Sequence, residues 1–245
     1  MTSPGGLVTF SRDEFVDRRW DYRSGNHVTI IGPTGSGKTV LGMHLLAKYA
    51  SAQMPVVYLV KKPRDPEITA WGKSLGLVKT DNWPPSPWLQ MNHRNPNGWL
   101  LWPRTRFDPD LDRPAKHTIF RRALVHAYKG GGIFKRKPRI VVLDDSYGLA
   151  EILDLKEVMI ENWTEMRSMG GGQWSFFQKP SHVPLWAYQA DHLFLFNEPD
   201  KRSRQRFGEI GGIDADVVTE TVVGLDEFQA LYIRRRGRRA CIVDR

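Results

Sequence analysis

The run Gly32-Pro33-Thr34-Gly35-Ser36-Gly37-Lys38-Thr39 matches G-x-x-x-x-G-K-[ST]. In such a run the glycines let backbone N–H groups turn inward onto phosphate oxygens, and the helix that follows adds the positive end of its dipole. Lys38 is placed to reach β- and γ-phosphates, and the Thr39 hydroxyl to ligate Mg²⁺. The expected nucleotide-binding set is Gly32, Pro33, Thr34, Gly35, Ser36, Gly37, Lys38, Thr39 and Val40. A second group closes the apolar run Ile140-Val141-Val142-Leu143 with two acids, Asp144 and Asp145. A buried strand of this kind delivers a carboxylate to the top of a sheet. Asp144 is expected in the Mg²⁺ shell, and Asp145 where an acid polarises the attacking water. ATP and Mg²⁺ are the expected cofactors. No Asn-Lys-x-Asp run is present to read guanine.

Both groups need particular elements around them. His27-Val28-Thr29-Ile30-Ile31 reads as a buried strand ahead of the glycine-rich turn, and Val40–Tyr49 as the helix after it. Pro55–Val60 reads as a second buried strand, so strand, helix and strand make a parallel βαβ unit. Thr118–Tyr128 is expected to be helical and broken at Gly130-Gly131-Gly132. Asp154 is expected to cap a helix that carries Leu155, Met159, Trp163 and Met166 on one face. Gln173–Gln178 and His192–Phe196 read as further strands. Ala230–Ile233 and Ala240–Val243 bracket an arginine-rich turn, Arg234–Arg239, as an antiparallel hairpin.

Residues 62–117 form a proline- and tryptophan-rich insert, irregular apart from one expected hairpin about Pro96-Asn97-Gly98, between Trp88–Met91 and Trp99–Trp102. Its tryptophans either pack on the sheet or, interleaved with His93, Arg94, Arg104 and Arg106, stack on bases. Trp20 and Tyr22 pose the same choice, between covering the sheet edge and lying beside a nucleotide base.

The chain has 245 residues, enough for one large domain with an insertion, and a formal net charge of +9 with 26% charged residues. Such a balance points to a polyanionic partner. Lys129, Lys135, Arg136, Lys137 and Arg139 form a candidate contact to a phosphate backbone, with the Arg234–Arg239 turn next in line. Cys241 is the single cysteine, which excludes an internal disulfide and fits a reducing compartment. No apolar run approaches the ~20 residues of a membrane span, and Met1–Gly6 lacks a signal-peptide pattern, so a soluble cytoplasmic protein is expected.

Together the glycine-rich loop, the Ile140–Asp145 strand, Arg167-x-x-Gly170 and the turn Gln178-Lys179-Pro180 resemble the FtsK–HerA superfamily of ring-forming, DNA-pumping ATPases. The resemblance spans about residues 20 to 235 and is thin across the insert. It implies an α/β P-loop NTPase of the ASCE, RecA-like kind: a mainly parallel sheet flanked by helices, with the strand carrying Gln178 between those leading to Lys38 and Asp144. It also implies that Gln178 senses the γ-phosphate or attacking water, and that Arg167 is a finger entering a neighbour's site. Relatives commonly place Glu where this chain has Asp145. The compact chain looks most like a viral genome-packaging ATPase. That reading implies double-stranded DNA, a homo-oligomeric ring and a portal or capsid-vertex protein as partners, in host cytoplasm. A secretion, morphogenesis or conjugation motor and a low-turnover nucleotide switch are the alternatives.

Overall fold

A computed structural model of the chain describes residues 6–210, 213–237 and 239–245; Met1–Gly5 of the leading segment and Arg238 of the basic turn lie outside the described residues. The strands are β1 (Thr9–Ser11), β2 (Val28–Ile31), β3 (Val56–Leu59), β4 (Leu77–Thr80) and β5 (Gly98–Leu101), then β6 (Arg139–Leu143), β7 (Gly171–Phe177), β8 (His192–Phe196), β9 (Ala230–Arg234) and β10 (Arg239–Asp244). They form one sheet in the order β1-β10-β9-β8-β2-β7-β6-β3-β5-β4. β2 pairs parallel with β8, and β3 parallel with both β5 and β6. β9 pairs antiparallel with β8 and β10, which is the expected C-terminal hairpin. The strand that ends before Gln178 stands between those leading to Lys38 and Asp144, as the resemblance implied. The inner strands are buried along their whole length, which is why they read as continuous apolar runs.

The chain packs as two compact units. The first comprises residues 1–22, 27–48 and 175–245. Its helices are α1 (Arg12–Arg18) and α2 (Lys38–Ala47), then α7 (Leu185–Tyr188), α8 (Lys201–Arg204) and α9 (Ala215–Val223). α1 is opened by a capping box in which Ser11 and Glu14 satisfy each other's backbone N–H groups. One core gathers Ile31, Leu195, Leu231 and Ile242 under Tyr188, Phe207, Val218 and Val222. A second, aromatic cluster holds Phe15, Trp20, Phe194 and Tyr232. Trp20 and Tyr22 are buried, and the Trp20 indole donates to the Leu45 carbonyl at 3.1 Å. Both are packing residues.

The second unit comprises residues 23–26 and 49–174. Its helices are α3 (Pro66–Ser74), α4 (Pro87–Asn92), α5 (Pro109–Lys129) and α6 (Lys156–Glu165). Here the insert departs from expectation. No hairpin forms at Asn97-Gly98: β5 runs parallel to β3 and β4, and Trp88–Met91 lie in α4. Ser86 caps α4 through the Leu89 N–H, and Pro87 supplies its first residue. Gly98 is required for close approach rather than for a turn, since a Cβ there would meet the Val56 carbonyl oxygen at 2.2 Å. Trp83, Trp99 and Trp102 are buried, so packing is the role of these three, while Trp88 is exposed. α5 starts at Pro109, well before the expected Thr118, and carries Pro114 inside it. It ends at Gly130 in the left-handed region, as expected. Asp154 does not cap α6: it adopts φ 52, and the position before the helix is Leu155, without a side-chain cap. A π-helical turn, Gly148–Ile152, precedes it and takes up the Leu153 and Leu155 N–H groups. The expected apolar face of Leu155, Met159, Trp163 and Met166 is buried.

Candidate nucleotide site

The loop after β2 is shaped by its glycines. Gly35 and Gly37 adopt φ 85 and 91, which a side chain would strain, and Gly37 caps α2 in the left-handed conformation. At Gly32 a Cβ would lie 2.6 Å from the Phe196 Cβ, so only glycine lets the chain turn there. Thr34 and Gly35 are exposed at the tip. The Lys38 ammonium folds back over the loop and donates to the carbonyls of Gly32 and Pro33, both at 2.6 Å. It thereby sits on the concave side, where phosphate oxygens would compete for it. The Gly32 N–H donates to the Phe177 carbonyl at 3.1 Å, which ties the start of the loop to the residue before Gln178. Gln178 itself is exposed.

A cavity of about 370 Å³ opens beside the loop tip, between Thr34, Gly35 and Ser36 on one side and Asn197, Phe228 and Gln229 on the other. Phe228 is held at φ 67, with its ring 3.3 Å from where a Cβ on Gly37 would be. Asn197 is fixed by donating to the Leu225 carbonyl at 2.8 Å. These residues had no motif to mark them.

In the second unit, β6 delivers Asp144 and Asp145 among cations. Asp144 is buried; its Oδ1 accepts from the Tyr58 hydroxyl at 3.0 Å, and its Oδ2 lies 3.3 Å from the Lys62 ammonium. Burial pushes the Asp144 carboxyl up, and Lys62 and Tyr58 pull it partly back. Burial also works against the Lys62 ammonium, but Asp144 and Asp65 outweigh it and hold its pKa above the usual lysine value. Asp145 pairs with Lys61 at 2.7 Å. Two ammonium groups from the end of β3 thus neutralise two carboxylates from the end of β6. Oxygen donors on a carboxylate and a hydroxyl suit Mg²⁺, which is commonly held by one or two such groups plus substrate phosphates. By donor chemistry, the Asp144 carboxylate of the second unit is a group of that kind, and so, separately, is the Thr39 hydroxyl of the first. In the sequence, Lys61-Lys62 closing an apolar strand marked two cations there but not their partners.

Arg167 lies in a short 3-10 turn, Met166–Met169, ahead of β7, with its stem against Gly25. Gln178 follows β7, so a seven-residue strand, roughly 23 Å long, separates the two. The basic loop before β6 is less open than its composition implied. Arg139 is buried and donates to the carbonyls of Ala127, Tyr128 and Met169, bracing the chain internally. Lys137 donates to the Ala52 carbonyl at 2.7 Å. Lys135 and Arg136 remain exposed. In the C-terminal turn, Arg234 pairs with Asp21 at 2.5 Å and Arg235 donates to the Gln189 carbonyl.

No family model and no curated protein sequence matches the chain. Solved structures do match its fold. The DNA-packaging ATPase B204 from Sulfolobus Turreted Icosahedral Virus superposes with a TM-score of 0.61 at 15% identity, covering 90% of this chain and 98% of that one. The genome packaging NTPase B204 from Sulfolobus turreted icosahedral virus 2, solved with ATP-gammaS, gives 0.56 at 16% identity over 90% and 98%. The cytoplasmic domain of the Thermomonospora curvata type VII secretion ATPase EccC gives 0.52 at 14% identity, over 90% of this chain and 25% of that one. The chain therefore has the fold of a P-loop ATPase, shared with viral genome-packaging enzymes, which is the fold that its resemblance to the FtsK–HerA superfamily implied.

Proposed function

We propose that the chain is an ATP-hydrolysing motor that moves duplex DNA, acting as a viral genome-packaging ATPase in a homo-oligomeric ring. The observation that carries this reading is the sheet order, with the strand before Gln178 between those that lead to Lys38 and Asp144. The glycine-shaped loop beside a nucleotide-sized cavity supports it.

In this reading the β- and γ-phosphates take the loop N–H groups and the Lys38 ammonium from the loop carbonyls. Thr39 and Asp144 would hold Mg²⁺, which when bound would supply positive charge against the phosphates. Asp145 accepts a hydrogen bond from the attacking water, and Gln178 fixes that water or the γ-phosphate from the neighbouring strand. Arg167 of an adjacent subunit stabilises charge that develops only in the transition state. Preorganised charge of this kind supplies most of the catalysis in phosphoryl transfer. Host cytoplasm at a capsid vertex, with a portal or vertex protein as partner, belongs to the same proposal. A secretion motor is the second reading, favoured by the shared fold with the EccC domain.

ATP turnover with and without duplex DNA of unrelated sequences, measured beside solution mass, tests the proposal. DNA-stimulated turnover in an oligomer is expected. Turnover by an oligomer that DNA leaves unchanged would favour the secretion reading.

A further inference from the structure

The carboxylate of Asp145 is held at both oxygens. Oδ2 pairs with the Lys61 ammonium at 2.7 Å, and Oδ1 accepts the Gly148 N–H at 3.0 Å. The main chain is fixed as well, since the Asp145 carbonyl accepts the Leu149 N–H at 2.9 Å. The pair is not a surface one: the Lys61 and Asp145 side chains are only 22% and 16% exposed. It rests directly on the α-carbon of Gly148. A Cβ there would lie 2.1 Å from both Asp145 Oδ2 and Lys61 Nζ. Gly148 opens the π-helical turn that follows, a kind of turn frequent at functional sites. On the other side, the Lys61 carbonyl accepts from the buried Lys116 ammonium at 3.3 Å, which anchors the backbone that carries the lysine.

We propose that Lys61 is a positioning residue for Asp145, fixing one carboxylate oxygen while the Gly148 N–H fixes the other. The inference rests on the reading of Asp145 as the acid that works on the attacking water. Each carboxylate oxygen has two lone pairs, so the two contacts leave acceptor capacity for a water while removing freedom of orientation. Asp145 has a shorter side chain than the glutamate usual at this place, and a misaligned carboxylate there cannot be corrected by a longer reach. Small losses of alignment at a reacting centre are costly in rate.

Lys61→Met should lower kcat about 10–100-fold, the range usual when a residue that orients a working group is lost. KM for ATP and affinity for a non-hydrolysable analogue should stay unchanged. Lys61→Arg should restore much of the rate, because it keeps a cation at the Asp145 oxygen. Gly148→Ala should reproduce the kcat loss without removing either charge, and it carries the test if Lys61→Met does not fold. Adding Lys61→Met to Asp145→Asn should cost nothing further, since the two act as one unit. If Asp145→Asn is inactive while folded Lys61→Met turns over within twofold of wild type, the positioning role is wrong. The same holds if the two losses multiply. If Asp145→Asn itself keeps wild-type turnover, the reading of Asp145 fails and the inference falls with it.

Discussion

The segments that leave the strands and those that enter them carry different chemistry. After β2, β6 and β7 come the glycine loop with Lys38, the paired Asp144 and Asp145, and Gln178. Before β6 and β7 come exposed Lys135 and Arg136, and Arg167, while buried Arg139 opens β6 itself. The exits carry a glycine-shaped loop and short charged contacts. The entrances are rich in cations that nothing at the exits requires. Between Arg167 and Gln178 in the chain runs β7, seven residues and roughly 23 Å long. In the proposed motor, a role for Arg167 in hydrolysis would be exerted on another subunit's nucleotide.

The largest expected effect tests that division. Arg167→Ala should bind ATP and assemble normally, yet lose roughly 10³–10⁵ in rate. Lys38→Ala should be inactive for a different reason, since its own phosphates lose their main protein cation. Mixing the two variants should return part of the activity, because some intact Lys38 sites then meet an intact arginine. Fluorescence transfer between labelled subunits shows whether exchange has occurred. Exchange without recovered turnover would place Arg167 among structural residues and break the comparison.

A smaller effect belongs to the entrance of β8. His192 is buried, its Nδ1 lies 2.9 Å from the Tyr232 hydroxyl, and burial lowers its pKa to about 4. The folded state holds this imidazole neutral, whereas the unfolded chain takes up a proton below about 6.5. The stability this neutral group contributes is thus present above about 6.5 and is lost as pH falls towards 4, by about 3 kcal/mol in all. Denaturant midpoints measured across that window should fall for wild type and fall less for His192→Phe. Equal slopes would mean that the ring is not held neutral.

The elements at the exits were largely legible in the sequence, and the reason is local. A glycine loop must announce itself, because only glycine adopts the angles of Gly35 and Gly37. The buried strands did so too, because both faces need apolar residues. The ion pairs of Lys61 and Lys62 were not legible as pairs, since their partners come from another strand far along the chain. Asn97-Gly98 misled for a related reason: the glycine answers to Val56 on the neighbouring strand, and Asn97 donates to the Leu75 carbonyl instead of making a tight turn. Pro114 likewise hid the first turns of α5, which tolerates the lost N–H. Composition overstated the basic loop, because burial and internal carbonyls claim Arg139 and Lys137.

That correction sharpens the smallest prediction. Lys135→Glu and Arg136→Glu should each weaken DNA binding alike on unrelated sequences and reduce the salt slope by about 1. Binding isotherms at several salt concentrations give the slope. An unchanged slope would shift the contact to the C-terminal basic turn.

Movement along duplex DNA is the central claim, and displacement of a triplex-forming third strand reads it directly. A fluorescent third strand annealed to a linear duplex is released when a motor runs into it. With ATP and Mg²⁺ the oligomer should release that strand, and with Lys38→Ala or a non-hydrolysable analogue it should not. ATP hydrolysis that DNA stimulates, but that leaves the third strand in place, would contradict the account.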